Sequence, residues 1–208
     1  MSSTRPSADA VTSHADTTAL LVLDLQVDFL EPNGRMPIAR DQIGQVLANS
    51  NRAIEAATAR HIAIVYIGNE YTRWDIPGNW FRRNAARVGT PGATLDPRLK
   101  RVVAAPYFSK RQGDAFSNPE LERFLRLHHI HHLVICGVYA DACVTATARG
   151  ALLQGFAVTV LSDAVGAASD ASRQSALAKL SRGGAQVEPT ADFANLSNAT
   201  SPKPTNAS

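Results

Sequence analysis

Short apolar runs alternate with amphipathic helical patterns along most of this chain, and this alternation constrains its fold more than any other feature. Several runs consist of Val, Ile and Leu without polar interruption, which is typical of strands buried on both faces of a parallel sheet. The pattern predicts strands at residues 19–25, 62–67, 102–106, 133–138, 157–161 and 186–187, and helices at 41–60, 118–128, 141–154 and 169–181. It therefore predicts an α/β fold, a three-layer α-β-α sandwich around a mostly parallel, Rossmann-like sheet of about five to six strands.

The composition suits one domain. A chain of 208 residues with 45% hydrophobic content can bury a single substantial core, and neither an internal repeat nor a second core is evident. We place this domain at residues 18–190. Residues 1–17 and 191–208 are rich in small polar residues and lack a periodic apolar face, so we expect mobile tails there.

Charge and cysteine content exclude several classes of partner. The net charge is only +3, and no basic stripe interleaves with aromatic residues, so we expect no nucleic-acid partner. No apolar run is long enough to span a membrane, and the first residues lack the apolar core of a secretory signal. The two cysteines, Cys136 and Cys143, make a disulfide framework implausible, which favours a reducing compartment and a cytoplasmic location.

Cys143 lies where an open α/β sheet places its ligands. It follows the predicted strand 133–138 and falls in the first turn of the next helix, just past the carboxyl end of the strand. At such a position the helix dipole and unpaired backbone N–H groups favour a thiolate. A buried cysteine can equally be inert core filler, and position alone leaves both interpretations open.

Three segments, in matching order, resemble the isochorismatase-like cysteine hydrolases. The segment around Cys143 reads GVYADACV at residues 137–144 and is similar to the family's nucleophile motif. The family's first strand, with its aspartate, is matched by ALLVLDLQVDF at residues 19–29. The lysine segment is matched by PYFSK at residues 106–110, followed by DAF at 114–116. The similarity extends from about residue 18 to residue 187.

This resemblance implies roles for the matching residues. Cys143 would be the nucleophile, Asp24 the general acid and base, and Lys110 the cation that holds the thiolate and orients the carboxylate. A thiol is only partly ionised at neutral pH, which explains why a base and a cation accompany it. The backbone N–H groups of Tyr139 and Cys143 would form the oxyanion hole. The resemblance also implies a cis peptide bond between Val138 and Tyr139.

The resemblance further narrows the reaction. Metal-binding nicotinamidases of this family carry an Asp and His residues just after the second strand, whereas residues 68–75 here contain no histidine, so we expect no metal and no cofactor. The isochorismatases proper lack the nucleophilic cysteine, because vinyl-ether hydrolysis needs only the aspartate. The presence of Cys143 therefore favours cleavage of an amide, ureido or carbamoyl C–N bond of a small molecule through a thioester. The alternatives are a vinyl-ether hydrolase, a non-catalytic binding protein, and a redox sensor that pairs Cys143 with Cys136.

Residues 69–99 form a stretch too long for a routine connection, which indicates a functional insertion. We expect aromatic side chains to wall a substrate pocket, and the candidates are Phe29, Tyr71, Trp74, Trp80 and Phe116. The same aromatic residues could instead bury a subunit interface. Oligomeric members of the resembled family build interfaces from such insertions, so we expect a homo-oligomer, a dimer or a tetramer.

Overall fold

A computed structural model describes residues 17–195, and its six strands form one all-parallel sheet in the order β3-β2-β1-β4-β5-β6. The strands are β1 Thr18–Leu23, β2 Ala63–Asn69, β3 Tyr107–Lys110, β4 His132–Val138, β5 Ala157–Gly166 and β6 Gln186–Glu188. The α/β sandwich predicted from the alternating pattern is confirmed.

Helices cover both faces of this sheet. They are α1 Val27–Leu30, α2 Arg40–Ala59, α3 Ile76–Phe81, α4 Pro119–Leu127, α5 Thr145–Leu153, α6 Asp170–Arg182 and α7 Thr190–Asn195. One core, under α1, α2 and α7, is separated by the sheet from a second core under α4, α5 and α6. None of the helices in residues 17–195 is both long and apolar enough to cross a bilayer.

The central strand β1 explains why the sequence alternation produces three layers. Every residue of β1 is buried, and successive side chains point to opposite faces. Leu20 and Val22 pack into the core under α2, whereas Leu21 and Leu23 pack into the core under α4 and α5. Because β2 and β4 flank β1 in parallel, their carboxyl ends lie beside the end of β1.

The third strand lies further along the chain than the sequence predicted. Residues 102–106 are not a strand: Val103 is fully exposed, and the N–H of Ala105 donates to the carbonyl of Val102 in a turn. Pairing with β2 starts only where Tyr107 lies opposite Tyr66. An apolar run in the sequence indicated a strand nearby, but the position of the hydrogen-bonding partner decided its register.

The predicted C-terminal tail begins too early. Its first residues belong to helix α7, where Phe193 is buried against α2 and the Arg60 guanidinium lies 5.1 Å from the centre of its ring. Asp163 accepts hydrogen bonds from the backbone N–H and the hydroxyl of Thr190 at the start of this helix. Residues 1–16 and 196–208, where the tails were predicted, lie outside the described residues.

The insertion between β2 and β3 is tied to the sheet edge at both ends. Tyr71 pairs with Arg87, which closes residues 72–86 into a flap that contains α3. Leu95 pairs with Gln26 in the segment that follows β1. These two bridges anchor the insertion above the carboxyl ends of β1 and β2.

Gly137 allows β4 to approach β1 at this edge. Its φ is +127°, and a Cβ atom added there would lie 1.9 Å from the carbonyl oxygen of Leu23. Only glycine tolerates this combination of backbone conformation and contact. Gly137 therefore sets the position of the turn that carries Cys143.

We predict that Gly137→Ala lowers the free energy of unfolding by at least about 2 kcal/mol, because it combines a disfavoured φ with overlap on backbone atoms. Urea denaturation measures this change. Gly44→Ala is the matched control: Gly44 lies inside α2 with no atom within 4 Å of the added Cβ, so alanine should stabilise the protein by about 0.5–1 kcal/mol. Equal effects of the two substitutions would contradict this account.

Candidate active site

Three segments that are distant in sequence meet at the carboxyl edge of the sheet. Asp24 directly follows β1, Lys110 ends β3, and Cys143 lies in a single π-helical turn, Ala140–Val144, between β4 and α5. The Lys110 Nζ atom is 2.9 Å from Asp24 Oδ2 and 3.2 Å from Cys143 Sγ. The structure thus brings together the three side chains that the sequence singled out.

Asp24 is held in an unusual backbone conformation. Its φ is +54°, and its N–H donates to the carbonyl of Ile67 at the end of β2. This local turn directs the carboxylate into the protein, where it is almost completely buried beside Lys110. Its Oδ1 oxygen has no hydrogen-bond partner within residues 17–195, which leaves it available to accept a proton.

The Lys110 ammonium serves four acceptors. Besides the carboxylate of Asp24 and the sulfur of Cys143, it donates to Asn69 Oδ1 at 2.8 Å and to the carbonyl of Gln112 at 3.1 Å. Burial favours the neutral amine, but the negative charge of Asp24 outweighs this effect and raises the pKa of Lys110, and the Cys143 sulfur adds to the rise when it is ionised. The side chain therefore carries its positive charge at neutral pH.

The Cys143 thiol differs from the expectation drawn from its position after a strand. Its residue is only 8% exposed, and burial together with the charge of Asp24 raises its pKa to about 12, although Lys110 acts in the opposite direction. The charge of Lys110 does not compensate for lost hydration and a neighbouring carboxylate. At neutral pH the sulfur is therefore held as a thiol beside the Asp24 carboxylate, and not as a preformed thiolate.

The turn before Cys143 has the predicted cis peptide bond between Val138 and Tyr139. The N–H groups of Ala142 and Val144 both donate to the carbonyl of Tyr139, which shapes the turn around the cysteine.

Two of the five predicted pocket aromatics contact residues of the site. The hydroxyl of Tyr71 donates to Asn69 Oδ1 at 2.8 Å. The ring of Phe29 packs edge-on against Tyr139, with 5.8 Å between the ring centroids.

The other three lie elsewhere. Phe116 is half-buried and packs against Phe156, beneath α5. Trp74 and Trp80 are 74% and 77% exposed on the flap, so in this chain they do not wall a pocket around Cys143. The aromatic composition of the insertion indicated a function but could not show which side chains face inward.

Asn69 and Gln26 are the residues that sequence reasoning missed. Asn69 ends β2, between the strands that carry Asp24 and Lys110, and contacts both Lys110 and Tyr71. A polar residue at the carboxyl end of a central strand was the signal that could have identified it. Gln26 follows β1, and its buried side-chain amide bonds both the N–H and the carbonyl of Asn69, which ties this segment to the end of β2.

A surface cleft of about 680 Å³ lies near the site without including it. Its charged lining residues are Glu70 and Arg101, and Asp24, Lys110 and Cys143 do not line it. Within residues 17–195, no group of three or more His, Cys, Asp or Glu side chains is arranged to hold a metal ion.

Comparison with known proteins identifies similar chains. The model of the isochorismatase domain matches residues 18–192. A ureidoacrylate amidohydrolase, RutB, of Serratia proteamaculans is 29% identical over 180 residues, covering 75% of this chain and 72% of the relative. A protein of Arabidopsis thaliana named "probable inactive nicotinamidase" is 31% identical over 162 residues, covering 73% of this chain and 82% of its own.

Solved structures share the fold. A cysteine hydrolase from Pseudomonas syringae superimposes with a TM-score of 0.81 at 20% identity, covering 88% of this chain and 93% of the other. The nicotinamidase PncA from Bacillus subtilis superimposes with a TM-score of 0.76 at 25% identity, covering 83% and 99% of the two chains.

The raised thiol pKa predicts the effect of Asp24→Asn. Removing this negative charge should lower the pH midpoint of Cys143 alkylation by iodoacetamide by at least about one unit, because Lys110 then acts unopposed. If Asp24 accepts the proton of the thiol, hydrolysis should fall in the same variant. Asp141→Asn is the control, since this exposed carboxylate is screened by water and should leave the midpoint unchanged. A midpoint that rises in Asp24→Asn would contradict the assignment.

Proposed function

The chain belongs to the isochorismatase family and is a hydrolase of C–N bonds other than peptide bonds, and we propose that it works through a thioester on Cys143. The observation that carries this proposal is the position of the Lys110 ammonium, within 2.9 Å of the Asp24 carboxylate and 3.2 Å of the Cys143 sulfur. The amidohydrolase name of a relative supports an amide, ureido or carbamoyl substrate.

The first step forms the thioester. Cys143 transfers its proton to Asp24 as the sulfur attacks the carbonyl carbon of the substrate, because its raised pKa keeps the resting sulfur protonated. The carbonyl oxygen becomes negative and accepts hydrogen bonds from the N–H groups of Tyr139 and Cys143. Asp24 then returns the proton to the leaving nitrogen as the C–N bond breaks.

The second step consumes one water molecule. Asp24, again a carboxylate, removes a proton from water while the oxygen attacks the thioester carbonyl. The C–S bond breaks, and the proton returns from Asp24 to the sulfur. The products are a carboxylic or carbamic acid and an amine or ammonia, and the protein regains its starting protonation.

Lys110 supports both steps by charge. Its ammonium stabilises the sulfur when it becomes negative and keeps the carboxylate of Asp24 next to it. Because the pKa of Lys110 is raised, it keeps its own proton and does not compete with Asp24 for the proton of the thiol.

The alternatives have less support. Cys136 lies in the core under α2, fully buried, and burial raises its pKa to about 12, so it is poorly suited to exchange with Cys143 as a redox pair. A binding protein without catalysis would not need a buried carboxylate, ammonium and thiol in contact, because such a group is costly to desolvate.

We predict that Cys143→Ala lowers turnover of cleavable substrates by at least about 10³-fold, because the nucleophile is lost. A panel of small amides, ureides and carbamoyl compounds measures turnover, and mass spectrometry after acid quenching should detect an acyl adduct on the peptide that contains Cys143. Cys136→Ala is the matched control and should retain turnover. Unchanged hydrolysis in Cys143→Ala would end the proposal.

We also propose that the protein is a homo-oligomer that buries the flap, residues 72–86. Trp74, Ile76, Trp80 and Phe81 are each at least 70% exposed there, and a monomer seldom leaves so many large apolar side chains in water on one short segment.

This proposal predicts a dimer or tetramer in light scattering coupled to size-exclusion chromatography. Trp74→Ser combined with Trp80→Ser should shift the protein toward monomer, because the apolar contact area is lost. Replacing the exposed Leu153 of α5 by serine is the control and should leave the mass unchanged. A monomeric parent protein would refute the proposal.

A further inference from the structure

We propose that Asn69 is a fourth functional side chain of this site: its amide NH₂ donates to the sulfur of Cys143 as the thiolate forms, and Tyr71 positions that amide. The inference rests on the proposed function, because it assigns a role in activating the same nucleophile.

The hydrogen bonds determine which way the amide of Asn69 faces. Its Oδ1 accepts from Lys110 Nζ and from the Tyr71 hydroxyl, both at 2.8 Å. Lysine can only donate, so the oxygen must face it. The Nδ2 atom is then directed at Cys143 Sγ, 3.9 Å away, which is at the outer limit for a hydrogen bond to sulfur.

The backbone of Asn69 is held independently of Lys110. The Gln26 side chain accepts from the N–H of Asn69 at 2.9 Å and donates to its carbonyl at 2.8 Å. It also donates to the carbonyl of Ala93 in the insertion. A side chain fixed in this way loses little further freedom when the sulfur becomes charged, which is the condition for electrostatic preorganisation.

Tyr71 is suited to position the amide. Burial, reinforced by the neighbouring Cys143, raises its pKa to about 12, so its hydroxyl keeps the proton that it donates to Asn69. Its main chain is tied to Ala86 and Val88 at the base of the flap, and the Arg82 guanidinium lies 3.7 Å from the centre of its ring.

The charges around Cys143 explain why a neutral donor is useful there. Asp24 disfavours the thiolate, Lys110 favours it, and the hydroxyls of Tyr71 and Tyr139 are neutral. The ammonium has three N–H bonds and four nearby acceptors, so the sulfur shares it with Asp24, Asn69 and Gln112. The amide of Asn69 adds a hydrogen-bond donor to the sulfur without adding a positive charge. A second positive charge would stabilise the Asp24 carboxylate and make it a weaker proton acceptor.

Asn69→Ala distinguishes this role from a structural one. If Asn69 only accepts a hydrogen bond from Lys110, its removal frees that N–H group to donate to the sulfur. Alkylation of Cys143 by iodoacetamide at fixed pH should then be unchanged or faster. If Asn69 donates to the thiolate, alkylation should slow by at least about threefold, kcat/KM should fall by about 100-fold and KM should change little. Asn51→Ala is the matched control, because Asn51 bonds only the backbone near residues 98–100 at the surface.

Two further variants complete the test. Asn69→Asp keeps both acceptor bonds but replaces the donor by a negative oxygen, so its alkylation should be slower still, with a higher pH midpoint. Tyr71→Phe removes the positioning hydroxyl and should give a smaller decrease in both alkylation and kcat. Circular dichroism checks folding, and Tyr71→Phe decides the question if neither variant of Asn69 folds.

The inference is overturned if Cys143 in Asn69→Ala is alkylated as fast as in the parent protein, or faster. This holds even if Asn69→Ala has lost hydrolysis. Failure of the proposed function has a different signature, because Cys143→Ala would then still turn over substrate whatever the variants of Asn69 do. Loss of turnover in Cys143→Ala together with normal alkylation in Asn69→Ala rejects only the role of Asn69.

Discussion

The buried ammonium of Lys110 is the interaction on which the rest of the site depends. A lone buried cation is expensive to desolvate, and removing one partner of a buried ion pair typically costs about 3–5 kcal/mol. Here Asp24 supplies the opposite charge, while Asn69 and Gln112 satisfy further N–H bonds. The ammonium thereby draws the ends of three neighbouring strands, β1, β2 and β3, toward one point, and the turn after β4 brings the sulfur to the same point.

The parallel sheet makes this convergence possible. Parallel strands place all their carboxyl ends at one edge, and the order β3-β2-β1-β4 puts the four contributing segments side by side. The insertion then stabilises the edge from above. Asp28 accepts the N–H of Ala86, and Gln26 bridges Asn69 to Ala93, so buried polar groups hold loops that the apolar cores cannot reach.

The thiol illustrates how one site can combine opposing effects. Lys110 favours the thiolate, whereas burial and Asp24 disfavour it more strongly, and the pKa rises to about 12. A nucleophile that stays protonated until a base removes its proton is protected from unproductive chemistry such as oxidation, which requires the thiolate. In the mechanism proposed above, the carboxylate that helps to raise the pKa also takes the proton, which would couple activation of the thiol to its attack.

The sequence by itself determined the layered α/β fold and the three central side chains. Continuous apolar runs and helical periodicity predict a layered fold, because strands buried on both faces must be apolar throughout. The order of the three motifs indicated which strand ends carry Asp24, Lys110 and Cys143. Only the tertiary structure decided the register of β3, the outward placement of Trp74 and Trp80, and the direction of the thiol pKa. It also revealed Asn69, whose partners lie 41 and 74 positions away in the chain. These properties depend on which distant groups come into contact and how much water they exclude, and local patterns in a chain carry no information about either.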